Sequence, residues 1–356
     1  MYFSIKFNES VAKKLGFAVI GCREVSQIAW LPLLKTCTQA ELIGVFDTSR
    51  ELAKSTAEEY STNFYSELSE LLKDPKVDAV VVASPLEVRK EHAIMALEEE
   101  KNVVVEVPVA ATYSEALEIA RVAEKRGRKL MSAYMLRYDT GCRYVKRILE
   151  GQKITLFKQF YVAGSSGLKL CRESLSGRLF AEEFKVPVEL EEEAEQFYER
   201  LLGAWSHYIN LMRWYAGEPS GVKYVEVWNR GNSFMVSFEY SSFKHIAVYS
   251  RVEGRNFSAG ATIYTDDYWI SVNTPPLLEK ATYSTVEIYD SKKEVTWRPR
   301  LPREWCYERG LLHFIEMTQE DRDYETGAND TLQDIYWIER VFERYLKVSL
   351  KSQNII

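Results

Sequence analysis

Features that would indicate a membrane or a nucleic-acid partner are missing from this sequence. No apolar run approaches the ~18 residues that a membrane-spanning helix needs. The 46 Lys and Arg residues are interspersed with 52 Asp and Glu residues, and the formal net charge is −6. Residues 1–16 contain no apolar segment behind a basic start. The sequence therefore predicts no signal peptide, no membrane association and no nucleic-acid binding.

Cysteine and histidine are also scarce. The chain has four histidines and five cysteines, an odd number with no Cys-x-x-Cys pair. The cysteines are Cys22, Cys37, Cys142, Cys171 and Cys306. This scatter argues against a disulfide framework and against a structural zinc site, so we expect no metal. Reduced thiols without a pattern are typical of a cytoplasmic protein.

One stretch near the start of the chain carries the first functional indication. An apolar run over 17–20 ends at Gly21, and a helix-like segment begins directly afterwards. This is the outline of a strand, a phosphate-binding loop and a helix whose N-terminus faces a pyrophosphate. The second and third glycines of that motif are replaced here by Arg23 and Ser26. Arg23 either crowds the cofactor or pairs its guanidinium with a phosphate, and Ser26 is small enough for close packing.

A second apolar run, 41–46, ends at Asp47, close to the ~20-residue spacing at which the motif places an acid for the ribose hydroxyls. An acid at this position disfavours a 2′-phosphate, so the sequence favours NAD over NADP, although Arg50 weakens that preference. The alternative interpretation of Asp47 is a cap or turn acid before the helix predicted over 48–60.

The two halves of the chain follow different patterns. Residues 17–135 alternate short apolar runs with helical stretches, which indicates a parallel sheet covered by helices. After residue 136, period-two segments separated by turns indicate a mostly antiparallel sheet. We therefore predict an α/β fold, with a Rossmann dinucleotide-binding domain over 1–135 and an α+β substrate and dimerisation domain over 136–356.

In a parallel sheet the ligand lies beyond the carboxyl ends of the strands, so residues just after each strand are candidate cofactor contacts. The candidates are Gly21, Cys22, Arg23, Glu24, Val25, Asp47, Arg50, Ser84, Pro85 and Glu106.

Residues 191–217 are expected to form one helix with an apolar stripe. A neighbouring face of that helix is small and polar and carries Gly203, His207 and Asn210. On this face His207 can serve as a general acid or base, and its alternative interpretation is a histidine hydrogen-bonded within a domain interface. Tyr134, Arg137, His207 and Asn210 are the candidate substrate contacts. The charge-rich segment 168–195 is expected to hold a solvated helix start.

Segments 77–85 and 91–97, 101–110, and 203–219, together with the first loop, resemble the glucose–fructose oxidoreductase and inositol dehydrogenase family (Gfo/Idh/MocA), in order along the chain. The resemblance implies an NAD(P)-dependent oxidoreductase acting on a small carbonyl or hydroxyl compound. It also implies a homodimer or homotetramer formed through the C-terminal sheet.

The sequence departs from this family where the chemistry is expected. The family usually carries Glu-Lys-Pro where this chain has Glu106, Val107 and Pro108, and an aspartate four residues before the histidine where this chain has Gly203. An aspartate that is frequent three residues after that histidine is replaced by Asn210. These changes leave an alternative open, in which a catalytically lapsed relative binds a nucleotide or sugar as a sensor.

Overall fold

The computed structural model describes residues 14–164, 190–254, 256–280 and 282–353. Most of the charge-rich segment 168–195 lies outside the described residues, as does Cys171. Helices and strands are numbered below in chain order among the described residues.

The first sheet contains six parallel strands in the order β3-β2-β1-β4-β5-β6. The strands are β1 Leu15–Ile20, β2 Ala40–Phe46, β3 Asn63–Phe64, β4 Ala79–Val82, β5 Asn102–Val105 and β6 Leu130–Ser132. The helices between them are α1 Leu31–Thr36, α2 Arg50–Tyr60, α3 Leu68–Lys73, α4 Leu86–Glu98 and α5 Tyr113–Arg126. A π-helical segment, Ser26–Trp30, leads into α1.

The sequence explains why these elements form. All four residues of β4 are fully buried, as expected for a strand covered by helices on both faces. Helix α5 begins with a capping box, in which the Thr112 side chain accepts from the Glu115 N–H while the Glu115 carboxylate accepts from the Thr112 N–H. Gly127 ends α5 in the left-handed conformation.

The second sheet contains eight strands in the order β14-β13-β12-β11-β7-β10-β9-β8. These strands are β7 Ile154–Gly164, β8 Gly221–Trp228, β9 Ser233–Glu239, β10 Lys244–Val252, β11 Phe257–Thr265, β12 Tyr268–Asn273, β13 Thr285–Asp290 and β14 Val295–Trp297. Every neighbouring pair is antiparallel except β7 with β10. The predicted fold class, a parallel Rossmann sheet followed by a mostly antiparallel sheet, is confirmed. The boundary at residues 135 and 136 stays a prediction.

The remaining helices connect and cover the sheets. They are a 3₁₀ turn Met135–Tyr138, α6 Thr140–Leu149, α7 Glu192–Leu202, α8 Ser206–Ala216, α9 Cys306–Gln319 and α10 Ala328–Gln353. The ring of Phe197 on α7 packs edge-on against Phe234 of β9 at 5.1 Å. Helix α10 spans the two layers, because Phe342 contacts Phe197 and the Glu339 carboxylate accepts from the Tyr113 N–H of α5 at 2.7 Å.

The single helix predicted over 191–217 is wrong. The structure has two helices, α7 and α8, separated at Gly203, whose ψ of −123° lies outside the helical range. The apolar stripe continues across the break, because Trp205 and Phe197 both pack against Phe234. Periodicity alone therefore could not reveal the break. The break makes His207 part of the first turn of a new helix.

Two further findings concern what the fold does not contain. In the part of the chain that the structure describes, no helix combines the length and apolar character needed to cross a bilayer. Among the same residues, no three His, Cys, Asp or Glu side chains are grouped as metal ligands would be.

Candidate functional site

The carboxyl ends of neighbouring parallel strands bring most of the predicted site residues to one edge of the first sheet. Backbone hydrogen bonds join the strands just before this edge: Ala83 N–H donates to Ile20, Glu106 N–H to Val82, and Ala133 N–H to Val105, all at 2.8–2.9 Å. Gly21, Ser84, Glu106 and Tyr134 therefore lie one or two residues beyond the ends of β1, β4, β5 and β6, side by side.

The loop after β1 depends on a glycine at its first position. Gly21 has φ +98°, and a Cβ placed there would lie 2.5 Å from the carbonyl oxygen of Ala83. Both the left-handed backbone and the close approach of β4 therefore exclude a side chain. At the third glycine position of the motif, the buried Ser26 hydroxyl donates to the Gly21 carbonyl at 2.6 Å, so serine fits the tight turn and fastens it.

Asp47 also holds this loop. Its Oδ2 accepts from the Cys22 N–H at 2.7 Å and its Oδ1 from the Ser49 N–H at 2.8 Å. The carboxylate is buried at the end of β2, where a ribose acid is expected. Helix α2 is capped by Ser49, whose hydroxyl accepts from the Leu52 N–H at 3.4 Å, so Asp47 is a turn acid before the helix and not its cap. This role is compatible with a cofactor contact, because each carboxylate oxygen has a second lone pair.

The side chains around the loop differ in what they can offer a ligand. The Cys22 thiol is buried, and burial together with Asp47 raises its pKa, so Cys22 contributes main chain only. Glu24 is buried and Val25 partly exposed. Arg50 is exposed, with its guanidinium 5.8 Å from the centre of the Phe64 ring.

Arg23 stands where the motif has its second glycine. It is partly exposed, and among the described residues its Nε is buried without a hydrogen-bond partner. A buried donor left unpaired is costly in a folded protein and often marks a position that a ligand completes. Of the two interpretations of Arg23, this geometry favours the one in which the guanidinium pairs with a phosphate over the one in which it crowds the cofactor.

A buried arginine ties the loops after β4 and β5 together. The Arg89 Nε donates to the Ser84 carbonyl at 2.9 Å, and one terminal nitrogen donates to the Pro108 carbonyl at 2.8 Å. The Ser84 hydroxyl lies 2.7 Å from the His92 Nδ1. Pro85 is the residue before the first turn of α4. These contacts fix the backbone of two of the predicted cofactor-binding loops.

Trp30 is a site residue that sequence reasoning missed. Its indole Nε1 donates to the Glu106 Oε1 at 2.5 Å, and its ring meets Tyr307 of α9 edge-on at 5.4 Å. The dinucleotide-binding motif has no tryptophan position at the end of the π-helical segment, so only the tertiary structure could reveal this contact. Val107, next to Glu106, is partly exposed.

Tyr134 and His207 form the second feature of the site. Their rings meet at 5.7 Å with an interplanar angle of 84°. Burial raises the pKa of Tyr134 well above its ordinary value, and burial lowers the pKa of His207 to about 4. The Tyr134 hydroxyl is buried beside the Ser206 side chain, whose hydrogen bonding lowers the pKa of the phenol against the effect of burial. The His207 Nδ1 is buried and has no hydrogen-bond partner among the described residues. The neutral imidazole is therefore available for a ligand.

Arg137 and Asn210, the other predicted substrate contacts, belong to a buried charge cluster. The Arg137 Nε donates to the Asn210 Oδ1 at 2.7 Å, and a terminal nitrogen lies 2.8 Å from the Asp330 carboxylate. The Asn210 amide in turn donates to Asp334 at 2.8 Å. Their polar groups are engaged with the protein, so a role in substrate contact stays a prediction.

Arg213 completes this cluster. It is 3% exposed and pairs with Asp334, which is fully buried, as well as with Asp330 and Glu218. Burial raises the pKa of Asp334 to about 7, and the Arg213 guanidinium in contact opposes that rise. The cluster joins α8, which carries His207, to α10.

Comparison with known proteins identifies relatives. Residues 15–134 match the family model described as an oxidoreductase family with an NAD-binding Rossmann fold. The chain is 30% identical over 133 residues to inositol 2-dehydrogenase 3 of Saccharopolyspora erythraea, which covers 37% of this chain and 39% of that protein. It is 24% identical over 230 residues to inositol 2-dehydrogenase of Salmonella typhimurium, and this match covers 63% of this chain and 59% of that protein. The matched segments thus span less than two thirds of these relatives.

Solved structures extend the likeness to both sheets. A 3-ketoreductase from Actinomadura kijaniata, in complex with TDP-benzene and NADP, superposes with a TM-score of 0.72 at 18% identity, covering 92% of this chain and 97% of that one. A putative NADPH-dependent oxidoreductase from Desulfitobacterium hafniense superposes with a TM-score of 0.78 at 11% identity, covering 93% and 95%. At these identities the likeness shows the fold.

The charge cluster yields a test that separates a structural role from substrate binding. Replacing Arg213 with Met leaves the buried Asp334 without its partner, and we expect a loss of about 3–5 kcal/mol in the free energy of unfolding by urea. Arg298→Met is the matched control, since Arg298 is 76% exposed in its pair with Glu287; it should cost under about 1 kcal/mol. Equal effects of the two substitutions would contradict the structural role.

Proposed function

We propose that this chain, which belongs to the Gfo/Idh/MocA oxidoreductase family, is an NAD(P)-dependent oxidoreductase that transfers a hydride to or from a small carbonyl or hydroxyl compound. The observation that supports the proposal is the alignment of the Gly21 loop, Asp47 and Glu106 at one sheet edge, with Tyr134 following β6 at the same edge and its ring against that of His207. The alternative, a lapsed relative that only binds a ligand, is not favoured by the relatives, which are named as dehydrogenases.

The loop residues fit a dinucleotide. Gly21 permits close approach of the backbone, and the helix that follows begins at the sheet edge, where its N-terminus would stabilise a pyrophosphate. The Arg23 Nε, which has no hydrogen-bond partner in the part of the chain that the structure describes, would bind a phosphate. A bound nicotinamide cofactor would supply the hydride donor or acceptor, which no amino-acid side chain provides.

We further propose that the cofactor is NAD rather than NADP. The buried Asp47 carboxylate ends β2 and repels a 2′-phosphate, while Arg50 lies against the Phe64 ring. Glu106 and Trp30 would border the cofactor at the neighbouring strand ends, because their side chains are bonded to each other at that edge.

Calorimetric titration with NADH and NADPH tests this cofactor preference. We expect NADH to bind more tightly by about tenfold or more, which corresponds to about 1.4 kcal/mol. Asp47→Ser should reduce that ratio even where it weakens both affinities, because the ratio does not depend on loop stability. The control, Asp74→Ser, removes an acid that bonds Tyr65 away from the loop and should leave the ratio unchanged. If neither NADH nor NADPH binds, the proposed function is refuted.

His207 is the proposed proton carrier. Because burial lowers its pKa to about 4, the imidazole is neutral at pH 7 and can accept a proton. In oxidation of an alcohol, the imidazole would accept the hydroxyl proton, and a bound nicotinamide would accept the hydride that leaves carbon as the carbonyl forms. In reduction, the imidazolium would return the proton to the oxygen. Val107 has no proton to give, so the lysine usual in the family is not available for this step.

Replacement of His207 with Ala tests the step. Turnover under saturating cofactor should fall by about 100-fold or more, because general acid–base catalysis contributes about that much. His313→Ala is the matched control, since His313 is also partly buried but contacts Tyr138 and the Glu325 N–H. Unchanged turnover in the His207 variant, with cofactor affinity preserved, would remove this residue from the mechanism.

We also propose that the chain forms a homodimer or homotetramer through the C-terminal sheet. Large apolar side chains are exposed on one face of this sheet, on β8, β10 and β13, and a face of this kind favours a protein contact. These residues are Tyr224 (44%), Trp228 (42%), Ile246 (39%) and Tyr289 (37%).

Sedimentation velocity measures this assembly. The wild-type chain should sediment as a dimer or tetramer at micromolar concentration, and Ile246→Glu should shift it toward the monomer by placing a charge on a central strand. Met95→Glu introduces the same charge at a residue of similar exposure (37%) on α4 and should leave the assembly intact. A monomeric wild-type chain would contradict the proposal.

A further inference from the structure

A cavity of about 480 Å³ lies beside α6, away from the residues assigned to the cofactor. Its wall includes the ring of Trp214 at the end of α8, the 301–302 turn and Glu325. None of the lining residues belongs to the Gly21 loop, to Ser84, Pro85 or Glu106, or to the Tyr134 and His207 pair. The volume suits a small-molecule ligand.

The lining is strongly basic in a chain whose net charge is −6. Five cationic side chains converge on the cavity from three elements, against two acids, Glu150 and Glu325. The cations are Arg137, Arg143, Lys146, Arg147 and Arg309. Such an excess of positive charge in a concave site attracts anions.

Three of these cations are already compensated. Arg143 lies 2.9 Å from the Glu325 carboxylate, Arg309 pairs with Glu304, and Arg137 pairs with Asp330. Lys146 and Arg147 form no ion pair with a described acid. Lys146 instead donates to the Trp214 carbonyl at 2.5 Å, and Arg147 lies 5.7 Å from the centre of the Tyr144 ring.

The spacing of the charges on α6 is unfavourable by itself. Lys146 and Arg147 follow Arg143 by three and four residues, so both are neighbours of Arg143 on the helix surface and are repelled by it. Burial lowers the pKa of Lys146 and the neighbouring Arg137 lowers it further, whereas the Glu150 carboxylate raises it. Basic residues in the last turn of a helix interact favourably with the helix dipole. That effect explains the sign of the charges on α6 but not the convergence of Arg137 and Arg309 on the same cavity.

We propose that this cavity binds a small phosphate-bearing anion, held by Lys146 and Arg147 with the rest of the basic wall around it. Guanidinium forks match the oxygens of a phosphate, and an ammonium adds a compact charge. The Thr140 hydroxyl, also in the wall, donates to the Pro302 carbonyl at 3.1 Å and can still accept. Arg137, a predicted substrate contact, is part of this wall, but Lys146 and Arg147, which would hold the anion, are not among the residues assigned to the oxidoreductase reaction.

Calorimetric titration of the full chain with inorganic pyrophosphate, in a buffer free of phosphate, tests this site. The double variant Lys146→Gln with Arg147→Gln should weaken binding by about tenfold or more, because two charge-assisted contacts are lost. The matched control is Lys125→Gln with Arg126→Gln, an adjacent Lys–Arg pair in the last turn of α5. It removes the same charge and the same dipole interaction, and should leave the affinity unchanged. The single variant Arg147→Gln, at an exposed residue, serves if the double variant does not fold.

The phosphate loop is the competing site, so Arg23→Gln is a second arm of the experiment. Pyrophosphate binding at the α6 cavity should survive this substitution. Binding that is lost with Arg23→Gln but retained without Lys146 and Arg147 would overturn the proposal, as would no detectable binding at about 10 mM. Cosedimentation with phosphatidylserine vesicles, without binding of free pyrophosphate, would overturn it in favour of a membrane surface.

Discussion

The hydrogen bonds that align the parallel strands of the first sheet are the constraint on which the candidate site depends. The carbonyls of Ile20, Val82 and Val105, the last residues of β1, β4 and β5, each accept from the N–H of the residue directly after the neighbouring strand. The chain therefore leaves the sheet at one common edge. Residues far apart in sequence, from Gly21 to Tyr134, are thereby held within reach of one ligand. No single side-chain contact could replace this alignment.

A second constraint is the way the two sheets are joined. Helix α10 packs against α5 of the first layer and α7 of the second, and its acids pair with Arg137 and Arg213. This buried cluster fixes α8 relative to the 3₁₀ turn that begins after Tyr134. The position of His207 beside Tyr134 thus depends on a cluster that includes Arg137, a residue predicted from the sequence to contact the substrate.

The site combines strict and relaxed requirements. Gly21 is strict, because β4 lies against it and its φ is positive. The other two motif positions tolerate Ser26, whose hydroxyl bonds within the turn, and Arg23, whose side chain is partly exposed. The altered motif is therefore compatible with an intact loop, and the fold constrains the backbone more tightly than it constrains these side chains.

The sequence by itself determined the fold class and most element positions, because apolar runs and helical periodicity record which residues are buried. The strands over 79–82 and 102–105 and the helix over 50–60 follow directly from those patterns. Only the tertiary structure decided the break at Gly203, the bond from Trp30 to Glu106 and the engagement of Arg137 with Asp330. Each of these depends on partners that are distant in sequence or on a backbone angle, and local periodicity carries no information about either.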